Sequence, residues 1–307
     1  MNLPQRKQFQ LNTALAAALC SAFFAFPAPV SPAAAQAAPG PAAVVSMDVP
    51  ARSWVESAAQ NELQIIKDNG KLPLRFRVHK IDSKGDIIRE VIETRDGNVA
   101  RLVERNGQKL TAEEDAAERD RLKEILASPG DFIRHHKRDD PIRTDSLQLV
   151  SQMPQAMIFT YVPGQPQLQG ASSRQIVIDF EPDTKYQTAE TIDNLLTGVK
   201  GRMWIDAQSH HMVRIEGRIT HPVNFGWGIV GKIGEGGTIV LEQAQANASG
   251  DRWVYSQLNT HLSMRFFLVK TVEMNDKMIQ YDFRPLPAVM SVQEAVRTLL
   301  AMPVPLR

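Results

Sequence analysis

Between residues 74 and 105 apolar and polar positions alternate with a period of two. Leu74, Phe76 and Val78 interleave with Arg75, Arg77 and His79. Successive side chains of an extended chain point to opposite faces, so this spacing predicts strands with one buried face. Ser83-Lys84-Gly85 separates the first strand from a second over Ile87 to Thr94, and Asp96-Gly97 separates that from a third over Val99 to Arg105. Asn106-Gly107 is a strong two-residue hairpin signal. Shorter strands are expected over Met157 to Val162 and Gln175 to Phe180. Three longer ones are expected at about Thr238 to Ala248, Arg252 to Arg265 and Phe267 to Phe283. From Gly201 to Ile219 two alternating runs flank a polar turn. In the second run Val213, Ile215, Gly217 and Ile219 share one face, while Arg214, Glu216 and Arg218 share the other.

Helical periodicity is confined to shorter stretches. Ala51 to Gly70 is weakly patterned, with Trp54, Val55, Leu63, Ile65 and Ile66 as anchors of a first helix. Thr111 and Glu114 stand in capping-box spacing, which predicts a charged surface helix to about Leu126, ended by Ser128-Pro129-Gly130. His135 to Asp140 reads as a solvated loop. Thr144 to Met153 reads as a short helix stopped by Pro154. Thr188 to Leu196 places Ala189, Ile192, Leu195 and Leu196 on one face, which suits a plug against a sheet. Ser291 and Glu294 form a second capping box, and Val292, Ala295, Val296, Leu299 and Leu300 follow at helical spacing. Strands in succession with short helices between them predict an antiparallel α+β domain. Its bounds are 51–307, with a helical insertion at about 111–153 and a C-terminal helix at about 291–301.

The first residues change the picture of where the chain resides. Arg6 and Lys7 precede an apolar run from Leu11 to Phe26, and small residues follow in Ala33-Ala34-Ala35 and Ala35-Gln36-Ala37. This order describes a secretory signal peptide over 1–37, cleaved near 35–37, with a flexible linker over 38–50. The run is short for a membrane span, which needs roughly twenty residues. Cys20, the one cysteine, lies inside it after Leu19, where a lipoprotein signal requires a small residue. The mature chain then has no thiol. The formal charge of +1 becomes slightly negative once Arg6 and Lys7 are removed. A near-neutral exported chain is a poor match for nucleic acid.

Candidate chemistry is thin. Gly226 to Lys232 fits the start of a phosphate-binding loop, but Ile233 stands where the pattern needs Ser or Thr, and glycines follow at 234, 236 and 237. The pairs His135-His136 and His210-His211 are adjacent in sequence, a poor spacing for sharing one metal. No Ser-based elbow is present, so no cofactor, metal or catalytic residue is assigned. Apolar residues late in the chain are more suggestive. Leu262, Met264, Phe266 and Leu268 alternate on one side, followed by Met274 and Met278, and Met suits surfaces that accept varied apolar partners. Such a face is either an ordinary sheet core or the lining of a cavity. Phe225, Trp227, Ile229 and Val230, strung between glycines, are candidates for a gate over that cavity. A tight hairpin with glycines at turns and bulges explains them equally well.

Gly201-x-x-Trp204-Ile205-Asp206, the polar turn and Val213-Arg214-Ile215-Glu216 resemble the hairpin of the periplasmic lipoprotein-carrier superfamily, the LolA-like proteins. Phe225-Gly226-Trp227-Gly228 and the final strand pair add to the resemblance, which covers about Leu72 to Phe283. It implies a strongly curved antiparallel sheet, a half-barrel, with short helices plugging or covering its concave face. It also implies a non-catalytic periplasmic binding or carrier protein for an acyl chain, lipid or lipoprotein. The expected cavity lining is Ile176, Ile178, Phe180, Trp204, Val213, Ile215, Leu262, Met264 and Phe266. The alternative is an envelope sensor that binds a protein partner with the concave sheet. Contact with a membrane would be transient. The chain departs from the family pattern in its charged insertion, its C-terminal helix and its lack of a lipid anchor.

Overall fold

The computed structural model describes residues 48–67, 72–137, 140–187, 194–225, 231–246, 252–266 and 270–307. The expected signal peptide, most of the linker and the first part of the expected plug helix lie outside these residues. In chain order the elements are α1 (Ala51–Lys67), β1 (Leu74–Asp82), β2 (Gly85–Thr94), β3 (Gly97–Arg105), β4 (Gln108–Lys109), α2 (Ala112–Ala127), α3 (Pro129–Lys137), α4 (Asp140–Ala156), β5 (Met157–Tyr161), β6 (Gln175–Pro182), α5 (Asn194–Gly198), β7 (Val199–Asp206), β8 (Met212–Ile219), β9 (Val223–Phe225), β10 (Gly231–Ile233), β11 (Thr238–Gln245), β12 (Trp253–Phe266), β13 (Lys270–Pro285) and α6 (Val292–Ala301).

The thirteen strands form one antiparallel sheet of order β4-β3-β2-β1-β13-β12-β11-β8-β7-β6-β5, open at β4 and β5. The α+β class expected from the pattern is therefore what the chain adopts. β9 and β10 belong to a long interrupted hairpin. β10 pairs with β12 at Ile233–Met264, and β11 pairs with the same strand from Thr238–His261 onward. Gly234 to Gly237 is the break between them, with Gly236 at φ +86°.

Turn chemistry sets the register at the β1 end. Asn106 and Gly107 both take positive φ, 51° and 69°, as a tight hairpin turn requires, and Gly97 takes 124°. Both expected capping boxes form. Thr111 and Ser291 accept from the backbone of Glu114 and Glu294, whose carboxylates return the bond.

The register separates two faces. On the first face Phe76, Val78 and Val91 join Leu241, Leu258 and Met278 in one cluster, and Ile215 links it to a second containing Ile176, Ile178, Phe180, Met203 and Ile205. On the second face Ile92 and Val99 pack against Leu122 of α2 and Val292, Ala295, Val296 and Leu299 of α6. Val91 and Ile92 are neighbours in sequence and point into different clusters. The helices therefore cover both faces, rather than gathering on one as expected: α1 lies on the first face near β5–β7, and α2 and α6 lie on the second near β1–β3.

Two local expectations are corrected. Ser128-Pro129-Gly130 ends one helix but opens another, α3, with Pro129 at its first position, where a missing N–H costs nothing, and α3 takes in His135 to Lys137 of the expected solvated loop. The helix expected to stop at Met153 continues to Ala156 with Pro154 inside its last turn, and Arg52 of α1 donates to the Pro154 carbonyl there.

Candidate functional site

The first face beneath α1 brings together most of the residues expected to line a cavity. Ala51, Val55 and Ala58 of α1 are buried against Met157, Ile176, Ile178, Phe180, Met203 and Ile205. These helix residues follow one stripe at a spacing of three to four, which is why this side turns inward. Further along the same face Leu262 and Met264 are buried with Ile219, Val223 and Ile233, with Phe266 at the edge. Ile176, Ile178, Phe180, Ile215, Leu262, Met264 and Phe266 thus share one side of the sheet. In these residues the face is a close-packed core.

Two expected lining residues do not join them. Trp204 pairs with Arg214 on the second face, packs with Val162 and Val177, and donates from its indole nitrogen to the Pro166 carbonyl at 2.9 Å. The Arg214 guanidinium lies 5.9 Å from its ring centre. Val213 falls at a bulge: the pairing steps from Trp204–Arg214 to Ile205–Met212, so Met212 takes the place on the first face that simple alternation gives to Val213. Phe225 ends β9 opposite Gly231, and the gate candidates Trp227, Ile229 and Val230 lie outside the described residues.

A close approach fixes the β6–β7–β8 part of the face. Phe180 pairs with Gly201, and Gly201 pairs with Gly217. A Cβ on Gly201 would stand 1.8 Å from the Glu216 carbonyl oxygen and 2.8 Å from the Phe180 ring. The glycine leaves the room that the Phe180 ring and the Glu216 backbone occupy.

Sequence reasoning missed the polar tethers of α1. Glu62 continues the buried stripe of Val55 and Ala58, is 8% exposed, and accepts hydrogen bonds from Tyr255 Oη and Gln243 Nε2. Burial raises its carboxyl above the ordinary range, against the pull of those two bonds. Burial, and then the adjacent Glu62, push the Tyr255 phenol well above its usual value. Asn61 Nδ2 donates to the Ser209 carbonyl at 3.0 Å, and the Trp54 ring lies 4.7 Å from that of His210. Arg52 reaches the carbonyls of Pro154 and Met157. The position of Glu62 on an otherwise apolar stripe was the available signal.

The β7–β8 turn that receives α1 is organised by Asp206. It accepts from the amides of Gln208 at 3.0 Å and Ser209 at 2.7 Å, and from the hydroxyls of Ser173 and Ser209. Burial works against ionisation, but these bonds outweigh it and hold the carboxyl below its ordinary value. Next to it, burial brings His211 down to about 4, with Asp206 opposing, and the ring stacks on Trp253 at 4.4 Å. Among the described residues no group of three or more His, Cys, Asp or Glu has the geometry to hold a metal. The arrangement is a buried apolar face covered by a helix that itself carries one buried carboxyl.

No family model and no curated protein matches the chain. Among solved structures, the crystal structure of MucB in complex with MucA(peri) is similar at a TM-score of 0.22 and 8% identity, over 78% of this chain and 100% of that one. A likeness of that size carries no argument about fold or function.

Proposed function

We propose that the protein is a non-catalytic periplasmic carrier of the LolA-like kind, binding an acyl chain, lipid or lipoprotein on its first face. In this reading the sheet curls into a half-barrel around that face, and α1 is the cover that moves aside. The observation that carries it is the contrast between a broad apolar face and a slight cover. The buried apolar side chains of α1 are Ala51, Val55 and Ala58. Lifting it uncovers three small side chains and part of Trp54, whereas an acyl chain laid on Ile176, Ile178, Phe180 and Ile215 gains roughly 0.8 kcal/mol per buried methylene. Export through the leader over 1–37 places the protein where such cargo is handled. No helix of the described residues is long and apolar enough to cross a membrane.

Titration with fluorescent fatty acids of increasing length tests the proposal, together with native mass spectrometry of protein isolated from its own envelope fraction. Affinity should climb with each added methylene and depend little on salt, and lipid should accompany the purified protein. Flat affinity across lengths, with a protein partner captured on crosslinking in place of lipid, would favour the sensor reading. Terminal sequencing checks the leader: a mature start near residue 36 or 38 is expected, and an acylated Cys20 would overturn it.

A further inference from the structure

The chain beyond α6 is fixed at two points. Arg101 Nη1 donates to the carbonyls of Leu299 at 2.5 Å and Met302 at 2.8 Å, where the helix ends. At the other end the Arg307 amide donates to the Leu110 carbonyl at 3.0 Å, and its guanidinium reaches Gln108. Between these anchors runs Pro303-Val304-Pro305. Two of the three residues have no N–H and a fixed φ, so the span is stiff and needs no strand partner. It forms an arch over the second face of β1 and β3.

Beside the arch is a half-open cleft of about 760 Å³, a volume suited to a small molecule. Its walls differ in kind. Val103, Pro303, Val304 and Pro305 make an apolar side, while Arg75, Arg77 and Lys109 bring positive charge, with Glu104 the acid among the lining residues. Below, the buried Glu90 accepts from the Nε atoms of both Arg75 and Arg77, fixing the two guanidinium groups. Asp282 stands 3.9 Å from Arg77 Nε. Arg75 Nη2, however, is turned to the thioether sulfur of Met302. Sulfur is a weak acceptor, and a cationic donor gains far more from an anionic oxygen.

We propose that this cleft binds a single-chain amphiphile with an anionic head, a carboxylate or a phosphate monoester. The head replaces Met302 at Arg75 and meets Arg77 and Lys109, and the chain lies along Val103 and the arch. The site is on the opposite face from the acyl surface proposed above and does not rest on it.

Calorimetric titration of the mature chain with decanoate, decyl phosphate, decanol and decyltrimethylammonium tests the proposal. In the binding that Val304→Trp removes, one or both anions should take part, their ratio identifying the preferred head, with decanol at least about tenfold weaker and the cation absent. Val304→Trp fills the cleft beside the arch and should abolish anion binding there. Lys109→Glu, an exposed change on β4, should weaken it about tenfold while leaving the melting temperature unchanged, so a folding defect in the first variant does not decide the matter. Equal loss of decanol and decanoate binding in Val304→Trp would overturn the proposal, as would no binding of either anion. Decanoate affinity undiminished in both variants would also overturn it and place the binding under α1.

Discussion

Two helices cover the same sheet at opposite ends and on opposite faces, and they are held by different chemistry. α6 buries Val292, Ala295, Val296 and Leu299, opens with a complete capping box, and ends on the fully buried Arg101. That guanidinium also binds Asp115 of α2 at 2.6 Å, so one cation ties β3, α2 and the carbonyl end of α6 together. α1 buries two alanines and a valine, with Trp54 partly buried beside them, and its deepest polar contact is a carboxyl that burial disfavours in its charged form. Under the proposed function this difference makes α6 a clamp and α1 a lid. In that reading the clamp's buried anchor is satisfied as a charge, whereas burial disfavours the charged form of Glu62, the buried anchor of the lid.

The largest effect should come from the clamp. Arg101→Met leaves Asp115 and two helix carbonyls without their donor in a dry site, and should lower stability by about 3–5 kcal/mol in chemical denaturation. Arg52→Met, the matching change on α1, removes an exposed guanidinium's bonds to the carbonyls of the buried Pro154 and Met157 and should cost about 1–2 kcal/mol. Equal costs would erase the contrast between the helices.

A smaller effect separates two glycines that face each other on the first face. Gly201→Ala forces its Cβ into the Glu216 backbone and should cost about 1–3 kcal/mol. Gly217→Ala meets only a methyl of Val199 at 3.2 Å, and should cost about 1 kcal/mol or less. Thermal melts of the two variants check the order.

The α1 end should also respond to pH in two opposed ways. The Glu62 carboxyl is raised in the folded state, so its contribution is fully present below its unfolded value near 4.5 and is lost as pH rises through the folded value. His211 is lowered to about 4, so its contribution is present above 6.5 and is lost as pH falls toward 4. Glu62→Gln keeps an acceptor for Tyr255 and removes the charge. It should therefore be more stable than the natural protein at pH 8 and close to it at pH 4. His211→Asn should flatten the acid limb between 6.5 and 4. Denaturation midpoints across pH measure both, and a Glu62→Gln curve parallel to that of the natural protein would contradict the assignment.

Much of this fold was legible in the chain. Asn106-Gly107, Asp96-Gly97 and the two capping boxes specify local geometry through backbone chemistry, and tertiary contacts had nothing to override. The strands of the Gly201 hairpin were legible for the same reason. The bulge opposite Trp204 was not, because a one-residue slip leaves no mark on an alternating pattern while it moves Val213 out of register. Coverage of both faces had a signal that went unused: Val91-Ile92 and Ile176-Val177-Ile178 are apolar in succession, as strands buried on two sides are. Glu62 went unremarked because one acid in a weakly patterned helix looks like solvent-facing charge, and only the sheet shows that Tyr255 and Gln243 meet it.

The claim that α1 is a lid is tested most directly by hydrogen exchange read by mass spectrometry, with and without a saturating long-chain fatty acid. Loading should strip protection from the amides of residues 51–67 and leave those of 292–301 unchanged. Unchanged or increased protection in 51–67 on loading, or equal loss at both helices, would contradict it.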